Sequence, residues 1–366
     1  MKRYPVLLFA LAMAGCTTAA GGGGTGTNSG TPIPSGIFYV NEGTSPNTVG
    51  AFSTSQIAGG GQLSALTGSP FQVTGQNGAA GAPFGIALAK GGTVLYVVNS
   101  NQGSVTEFTV DMNGTLTLAN TYPVGASPSG VCVDPSNSFA AVVNTGANSV
   151  KPFAVNPDGS LTGASVVSGN GLSTPTACTY SSDGKYLYVS NNTSPGGISG
   201  FSVAGGGVLS PLLTYATGNF LQGIVASATV VFAADQSHNG LHILLISASG
   251  NLAYQNFFGT AFGPIGIALA PNGKNLYVAA SAKQAVDGYS VNGQILSQLA
   301  GAPYATQAFK TAMVSVNSAG TLLVALDEID CAVTVFAIKS DGTLGYAPMN
   351  EYKLCNAANP MAVVAR

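Results

Sequence analysis

The sequence predicts an all-β fold, a seven-bladed β-propeller whose blades are four-stranded sheets. One pattern recurs seven times along the 366 residues, an apolar run followed by a polar loop and a further strand. Its period of roughly 45 residues is typical of a propeller blade. Tight-turn signals separate the strands within the repeats. The apolar runs end at Glu42, Ser100, Thr145, Asn192, Gln236, Ser281 and Glu328.

Each repeat divides into four strands, named A to D from the propeller axis outward. Strand A begins near a proline and a small residue, as at Pro128–Gly130, because a missing side chain lets the innermost strands approach closely. Strand B is apolar almost without alternation, as at Leu95–Val98, since neighbouring blades cover both faces of its sheet. Strand C repeats a large apolar residue such as Phe108, which we assign to the core between blades. Asn-Gly and Asp-Gly pairs, as at Asn113-Gly114, predict the turns between strands C and D.

The two ends of the chain predict how the ring closes. The first repeat lacks strand A, and residues Asn359 to Arg366 form a strand A with nothing after them. We expect this C-terminal strand to pair into the blade begun by Ile37 to Val40. Such pairing leaves no open edge between the first and last blades.

The first residues predict export. Lys2 and Arg3 precede a short apolar segment, residues 6–14, that is too short for an anchor helix. The sequence Met13–Cys16 then resembles the lipobox of bacterial lipoproteins. The resemblance implies cleavage before Cys16 and a lipid on that cysteine. The alternative is an ordinary secretory signal with an incidental cysteine.

These features predict three segments. Residues 1–15 are a lipoprotein signal peptide, residues 16–34 are the lipidated cysteine with a Gly-, Ser- and Thr-rich flexible tether, and residues 35–366 are the propeller. The residue after the cysteine is Thr17 rather than aspartate. In diderm lipoproteins this implies anchoring to the outer membrane, facing the periplasm or the cell surface.

The composition excludes two classes of partner. Charged residues make up 7% of the chain and the net charge is −2, whereas binding to nucleic acid or to an anionic membrane needs clustered Lys and Arg. After residue 16 no apolar run approaches the roughly 20 residues that span a bilayer. We therefore expect no nucleic-acid partner, contact with the membrane only through the lipid, and a monomer.

The repeats resemble those of bacterial YVTN-type and lactonase-type seven-bladed propellers, the 6-phosphogluconolactonase-like family. Residues 95–110 (LYVVNSNQGSVTEFTV) and 271–291 (PNGKNLYVAASAKQAVDGYSV) carry the resemblance, which covers residues 35–366. The absence of Trp argues against a WD-type propeller. The lactonase branch includes hydrolases of sugar lactones such as 6-phosphogluconolactone, so the resemblance implies that activity. A phosphorylated lactone favours a guanidinium, and the mature chain has a single arginine, Arg366, expected at the face opposite the charged loops.

Charged residues concentrate on one predicted face. The B–C loops and the links from strand D to the next strand A share one face of a propeller, here called the loop face. We interpret the charged residues there as a ligand site or a Ca²⁺ or Mg²⁺ site built from carboxylates, or as an acid/base pair. The alternative is a solvated cluster that keeps the closure seam soluble. The candidates are Glu42, Lys310, Asp327, Glu328 and Asp330, with Glu351 and Lys353 nearby.

Blade five supplies a second candidate pair. Asp235 and His238 share a B–C loop and could bind a metal, although two ligands make a poor site. His242 lies in a polar strand C register and is expected to face solvent. No G-x-S-x-G motif or Cys-x-x-Cys pair supports nucleophilic catalysis.

The cysteines predict two disulfides that an exported chain permits. Cys331 and Cys355 both lie on the loop face of the last blade. Cys132 and Cys178 lie on adjacent inner strands and could bond between blades three and four, with buried free thiols as the alternative.

The leading functional hypothesis is a binding or scaffold module at the cell envelope. The missing catalytic constellation favours it, and its ligand would be a glycan, a small molecule or an envelope protein at the loop face. The alternative is a lactone hydrolase that uses Glu42, Asp327 or Glu328 as base, with or without a divalent cation. A structural envelope protein without a small ligand is a third hypothesis.

Overall fold

A computed structural model of the protein describes residues 36–43, 46–55, 63–73, 84–218, 220–260, 263–306, 310–354 and 362–366. The predicted signal peptide, Cys16, the tether and Cys355 lie outside these residues. The described strands form seven antiparallel sheets, which confirms the seven-bladed propeller. No helix within the described ranges has the length and apolar character needed to cross a bilayer.

Each blade takes its strands from one repeat. Blade one comprises β1 (Ile37–Asn41), β2 (Thr48–Ser53), β3 (Ser64–Ala65), β4 (Phe71–Gln72) and the C-terminal β32 (Ala362–Ala365). Blade two comprises β5 (Ile86–Ala89), β6 (Val94–Asn99), β7 (Ser104–Val110) and β8 (Leu116–Pro123). Blade three comprises β9 (Pro128–Val133), β10 (Phe139–Asn144), β11 (Ser149–Val155), β12 (Leu161–Gly163) and β13 (Val167–Ser168). Blade four comprises β14 (Pro175–Tyr180), β15 (Tyr186–Asn191), β16 (Gly196–Ala204), β17 (Val208–Pro211) and β18 (Tyr215–Gly218).

The remaining blades follow the same order. Blade five comprises β19 (Leu221–Ala226), β20 (Val230–Asp235), β21 (Gly240–Ile246) and β22 (Leu252–Gly259). Blade six comprises β23 (Pro264–Leu269), β24 (Asn275–Ala280), β25 (Ala285–Asn292), β26 (Ile295–Gln298) and β27 (Tyr304–Ala305). Blade seven comprises β28 (Thr311–Val316), β29 (Leu322–Asp327), β30 (Ala332–Ile338) and β31 (Leu344–Lys353). Short 3-10 turns lie at Lys90–Gly92 and Gly205–Gly207.

The chain closes into a ring through its last strand. β32 pairs antiparallel with β1, with Phe38 opposite Ala365 and Asn41 opposite Ala362. The backbone nitrogen of Arg366 also donates to the carbonyl of Ile37 at 2.8 Å. The predicted closure is confirmed, so strand B of blade one has a partner on both sides.

Glycines in strand A allow the inner strands to approach each other. A Cβ added to Gly130 would lie 2.9 Å from the carbonyl oxygen of Thr176 in the next blade. At Gly266 an added Cβ would lie 2.7 Å from the carbonyl oxygen of Ala312. A side chain at either position would push neighbouring blades apart at the axis.

A disulfide links two of these inner strands. Cys132 on β9 and Cys178 on β14 are bonded, with an S–S distance of 2.07 Å. The sequence left this bridge and free thiols as alternatives, and the structure has the bridge. Cys331 is half-buried, and its predicted bond to Cys355 lies outside the described residues.

In four blades, a buried tyrosine in strand B bonds to the following blade. The hydroxyl of Tyr277 donates to the carbonyl oxygen of Gly342 in the hairpin turn between strands C and D of blade seven, at 2.8 Å. Gly342 has a φ of 85°, the positive value that the turn signals predict. The same bond connects Tyr39 to Gly114, Tyr96 to Gly159 and Tyr188 to Gly250.

Candidate functional site

The end of strand B has a common structural role. We call this place the B-end position; it faces the first residues of strand C, as Asn99 faces Ser104 and Asp327 faces Ala332. Side chains along strand B point alternately to the two faces of the sheet, so the side chain at the B-end position lies between two blades. Every residue there is at most 1% exposed. The B-end residues are Glu42, Asn99, Asn144, Asn191, Asp235, Ala280 and Asp327.

Hydrogen bonds at the B-end position hold strand C. The Nδ2 of Asn99 donates to Thr106 Oγ1 at 2.9 Å and to Ser104 Oγ at 3.1 Å. In blade seven the carboxylate of Asp327 accepts from Thr311 Oγ1 at 2.7 Å and from Thr334 Oγ1 at 3.4 Å. Asp327, a candidate base at the loop face, is therefore a fully buried residue bonded inside its own blade.

Glu42 occupies the same position in blade one. Thr48 Oγ1 donates to its Oε2 at 2.6 Å, and burial raises the pKa of the carboxyl while that bond lowers it in part. A Cβ added to Gly50 would lie 2.6 Å from Glu42 Oε1. The carboxylate thus fills space that the strand C side chain fills in other blades.

Two of the predicted seam residues do meet at the surface of the loop face. Lys310 Nζ lies 2.6 Å from Glu328 Oε2, and both side chains are partly exposed. The backbone nitrogen of Glu328 also donates to the carbonyl of Lys310. Asp330 lies two residues further along the same loop and is half-buried. Since an exposed ion pair contributes little stability, Lys310 and Glu328 remain candidates for ligand contact.

Blade five assembles a more specific arrangement around its B-end residue, Asp235. The buried carboxylate accepts from His238 Nδ1 at 2.9 Å and from His242 Nε2 at 3.1 Å. Ser237 Oγ and the backbone nitrogen of His238 donate to its other oxygen, at 2.7 and 2.9 Å. One carboxylate therefore orients two imidazoles and the loop between them.

The electrostatics of this group follow from burial and these bonds. Burial by itself raises the pKa of Asp235, but hydrogen bonds from Ser237, His238 and His242 outweigh it and hold the pKa below its usual range. Burial lowers the pKa of His242, although Asp235 opposes this. At neutral pH the group contains an ionised Asp235 beside a neutral His242.

The expectation that His242 faces solvent was wrong. Its residue is 7% exposed, and its ring packs against the edge of Phe257 with centroids 5.1 Å apart. The strand C register that holds it is polar but lies between blades, where Thr106 and Thr334 are also buried. Polarity of that register reflects bonding to the B-end residue rather than contact with water.

His238 is the exposed member of the group. Its side chain is 53% exposed, whereas that of Asp235 is 1% exposed. In the tautomer that donates Nδ1–H to Asp235, Nε2 carries the lone pair that can take a proton. The sequence paired these two residues as metal ligands. The D-x-x-H spacing directly after an apolar strand was the signal for a carboxylate-oriented histidine.

The described residues contain no group of three or more His, Cys, Asp or Glu side chains arranged to hold a metal ion. Asp235 and His238 bond to each other. A divalent cation at the loop face stays a prediction.

The sequence comparison supports the predicted family resemblance. Residues 49–176 match the family model described as lactonase, seven-bladed β-propeller. That segment runs from strand C of blade one to the start of blade four. Comparison with curated proteins finds no match.

Solved structures share the fold over nearly their whole length. A putative 6-phosphogluconolactonase from Bacteroides fragilis is 18% identical, with a TM-score of 0.71 over 94% of this chain and 100% of that one. A periplasmic gluconolactonase from Pseudomonas aeruginosa is 16% identical, with a TM-score of 0.70 over 91% and 99%. Hydrazine synthase from Kuenenia stuttgartiensis is also 16% identical, with a TM-score of 0.59 over 86% and 99%. At these identities the likeness shows the fold alone.

Proposed function

We propose that the protein hydrolyses a sugar lactone at the loop face of blade five. The observation that carries the proposal is the 2.9 Å contact between Nδ1 of the half-exposed His238 and the buried carboxylate of Asp235. A carboxylate that orients a histidine is the usual support for a general base. The likeness of residues 49–176 to the lactonase propeller model supports lactone hydrolysis as the reaction class.

In the proposed reaction His238 accepts a proton from water as the water oxygen bonds to the lactone carbonyl carbon. The bond between that carbon and the ring oxygen then breaks, and the proton passes from His238 to the departing oxygen. The product is an open-chain hydroxy acid. Asp235 stabilises the imidazolium that forms between the two proton transfers. In this proposal His238 is the base instead of Glu42 or Asp327, whose carboxylates are buried.

The proposed substrate is a lactone without a phosphate. Nη1 of Arg366 donates to the backbone oxygen of Asp111 at 2.9 Å, in the turn after β7 and hence on the face opposite the loops. Lys310, the candidate cation on the loop face, is paired with Glu328. We expect D-glucono-1,5-lactone to be a better substrate than its 6-phosphate.

We also propose that the protein acts after export, anchored to the outer membrane through Cys16, as a monomer. The disulfide between Cys132 and Cys178 supports an oxidising compartment. Cys16→Ser should abolish labelling of the protein with radioactive palmitate, and globomycin should make the uncleaved, lipid-labelled precursor accumulate. Labelling that survives Cys16→Ser, or processing that globomycin does not change, would refute the anchor.

The test of the activity is hydrolysis of glucono-1,5-lactone and aryl lactones by the purified protein, with added Ca²⁺ or Mg²⁺ and with EDTA. His238→Ala should lower kcat by roughly 10²–10⁴-fold, the usual contribution of a general base. Gln102→Ala, at the matching loop position of blade two and exposed, should leave kcat unchanged. No turnover of any lactone by the wild type, or full activity in His238→Ala, would reject the proposal. Saturable sugar binding without turnover would favour the binding module instead.

A further inference from the structure

The inner edge of the loop face is formed by the residue that precedes each strand A. In blades three to seven this residue has positive φ. In four blades the carbonyl of this residue accepts from the B–C loop of the same blade, as Ser127 does from Thr145. Because strands A surround the axis, these residues lie around the axis at the loop face. They are Ser127, Thr174, Phe220, Gly263 and Lys310.

Phe220 differs from the other four. It is a large aromatic residue, 44% exposed, at a place where the other blades have a small residue or a lysine. Its φ is +22°, a conformation that bulky residues rarely adopt because Cβ crowds the backbone. An exposed aromatic side chain held in such a conformation is a feature that functional sites retain.

Phe220 lies at the same end of blade five as the Asp235 group. Leu221 pairs with Asp235 in the register of β19 and β20, so Phe220 and Gln236 lie just beyond that pair. Gln222 Nε2 donates to Gln236 Oε1 at 3.0 Å. This bond uses the amide nitrogen of Gln222 and the amide oxygen of Gln236. The amide oxygen of Gln222 can therefore accept a hydrogen bond from a ligand, and the amide nitrogen of Gln236 can donate one.

We propose that this end of blade five is a binding site for a neutral polyhydroxylated ring. Phe220 packs against the C–H face of the ring, and the amide pair of Gln222 and Gln236 bonds its hydroxyls, each of which both donates and accepts. The inference rests on the proposed function for the role of His238 and names the substrate class of that site.

The charge of blade five supports a neutral ligand. Residues 220–260 contain no Lys or Arg, and Asp235 is their one carboxylate. That carboxylate is buried and directed to the two histidines. A phosphate or carboxylate group on the ligand would find no cation in this blade. An uncharged sugar ring or its lactone needs no cation, and Phe220, Gln222 and Gln236 offer it an aromatic face and amide groups.

The chain contains no tryptophan, so Phe220→Trp places a single fluorescent reporter at the site. His238→Ala is added to stop turnover during the titration. The probes are freshly dissolved D-glucono-1,5-lactone, D-glucose, and δ-valerolactone, which has a lactone ring without hydroxyls. We expect saturable fluorescence changes with the first two and at least tenfold weaker binding of δ-valerolactone. The matched control is Thr174→Trp with His238→Ala, the same position in blade four, which should show no saturable change.

A second measurement does not depend on the new tryptophan. Calorimetric titration of the His238→Ala protein with D-glucono-1,5-lactone should show at least about tenfold weaker binding when Phe220→Ala or Gln222→Leu is added, as expected for loss of packing or of paired hydrogen bonds. Circular dichroism checks that these variants fold.

The outcomes separate this inference from the proposed function. Equal responses at Phe220→Trp and Thr174→Trp, or equal affinity for δ-valerolactone and gluconolactone, would overturn the inference. So would unchanged binding in Phe220→Ala and Gln222→Leu, even if the wild type hydrolyses lactones. Binding with these dependences in a wild type that turns over no lactone would support the site and reject the hydrolase.

Discussion

Nε2 of His242 lies 3.1 Å from Oδ2 of Asp235, the same oxygen that accepts from His238. His242 is buried and His238 is half exposed, so the carboxylate links an imidazole inside the blade to one on the loop face. The inner imidazole fixes the carboxylate, and the carboxylate fixes the outer imidazole. Precise orientation of His238 therefore depends on residues that no ligand touches.

Asp235→Asn should lower kcat/KM for gluconolactone by at least about tenfold, because an amide cannot hold His238 in the required tautomer or stabilise its protonated form. The rate is measured across pH 5 to 9. Asp158→Asn removes an exposed carboxylate on the opposite face and serves as the control. An Asp235→Asn enzyme with wild-type kcat/KM at every pH would rule out the orienting role.

His242 should make the protein less stable as the pH falls. Burial lowers its pKa in the folded state, with Asp235 opposing, while a histidine in the unfolded chain titrates near about 6.5. Below that pH the unfolded chain binds a proton that the folded protein does not, so this part of the free energy of unfolding is present above about 6.5 and is lost below it. Urea unfolding from pH 8 to 5 should show a steeper loss in the wild type than in His242→Asn. Parallel curves would contradict the prediction.

Tyr277→Phe should lower the free energy of unfolding by about 1–3 kcal/mol, since it leaves the carbonyl of Gly342 buried between blades without its donor. The comparison is Tyr254→Phe. Tyr254 is 49% exposed, and loss of its hydroxyl should cost less than about 0.5 kcal/mol. Chemical unfolding measures both. Equal effects of the two substitutions would show that the bond between blades adds nothing.

Deleting residues 362–366 should abolish the closed ring. β1 would lose its partner strand, and the buried side chains of Ala362 and Val363 would be removed from the cores beside it. We expect a lower Tm and self-association through the new strand edge, measured by calorimetry and light scattering. Arg366→Ala keeps the backbone bonds and should shift Tm little. A truncated protein that stays monomeric with an unchanged Tm would refute closure by this strand.

The sequence located the site only in part, for a physical reason. It identified Asp235 and His238 as a pair because they are three residues apart in one loop. It also grouped Glu42 and Asp327 with exposed charges, since both follow apolar runs. Side chains alternate between the two faces of the sheet up to the end of strand B, so the side chains of Glu42 and Asp327 lie between blades and are buried. The sequence did not identify Phe220 and Gln222 as site residues, because the exposure of Phe220 and the Gln222–Gln236 bond depend on how β19 pairs with β20.

The sequence by itself determined the number of blades, the order of their strands and the closure by β32, because period, apolar runs and turn residues are local properties that repeat. The tertiary structure alone decided which polar residues face a neighbouring blade and which face a ligand. That choice depends on the direction of each side chain and on what covers it. Glu328 and Asp327 are neighbours in sequence, yet one is at the surface and the other is buried.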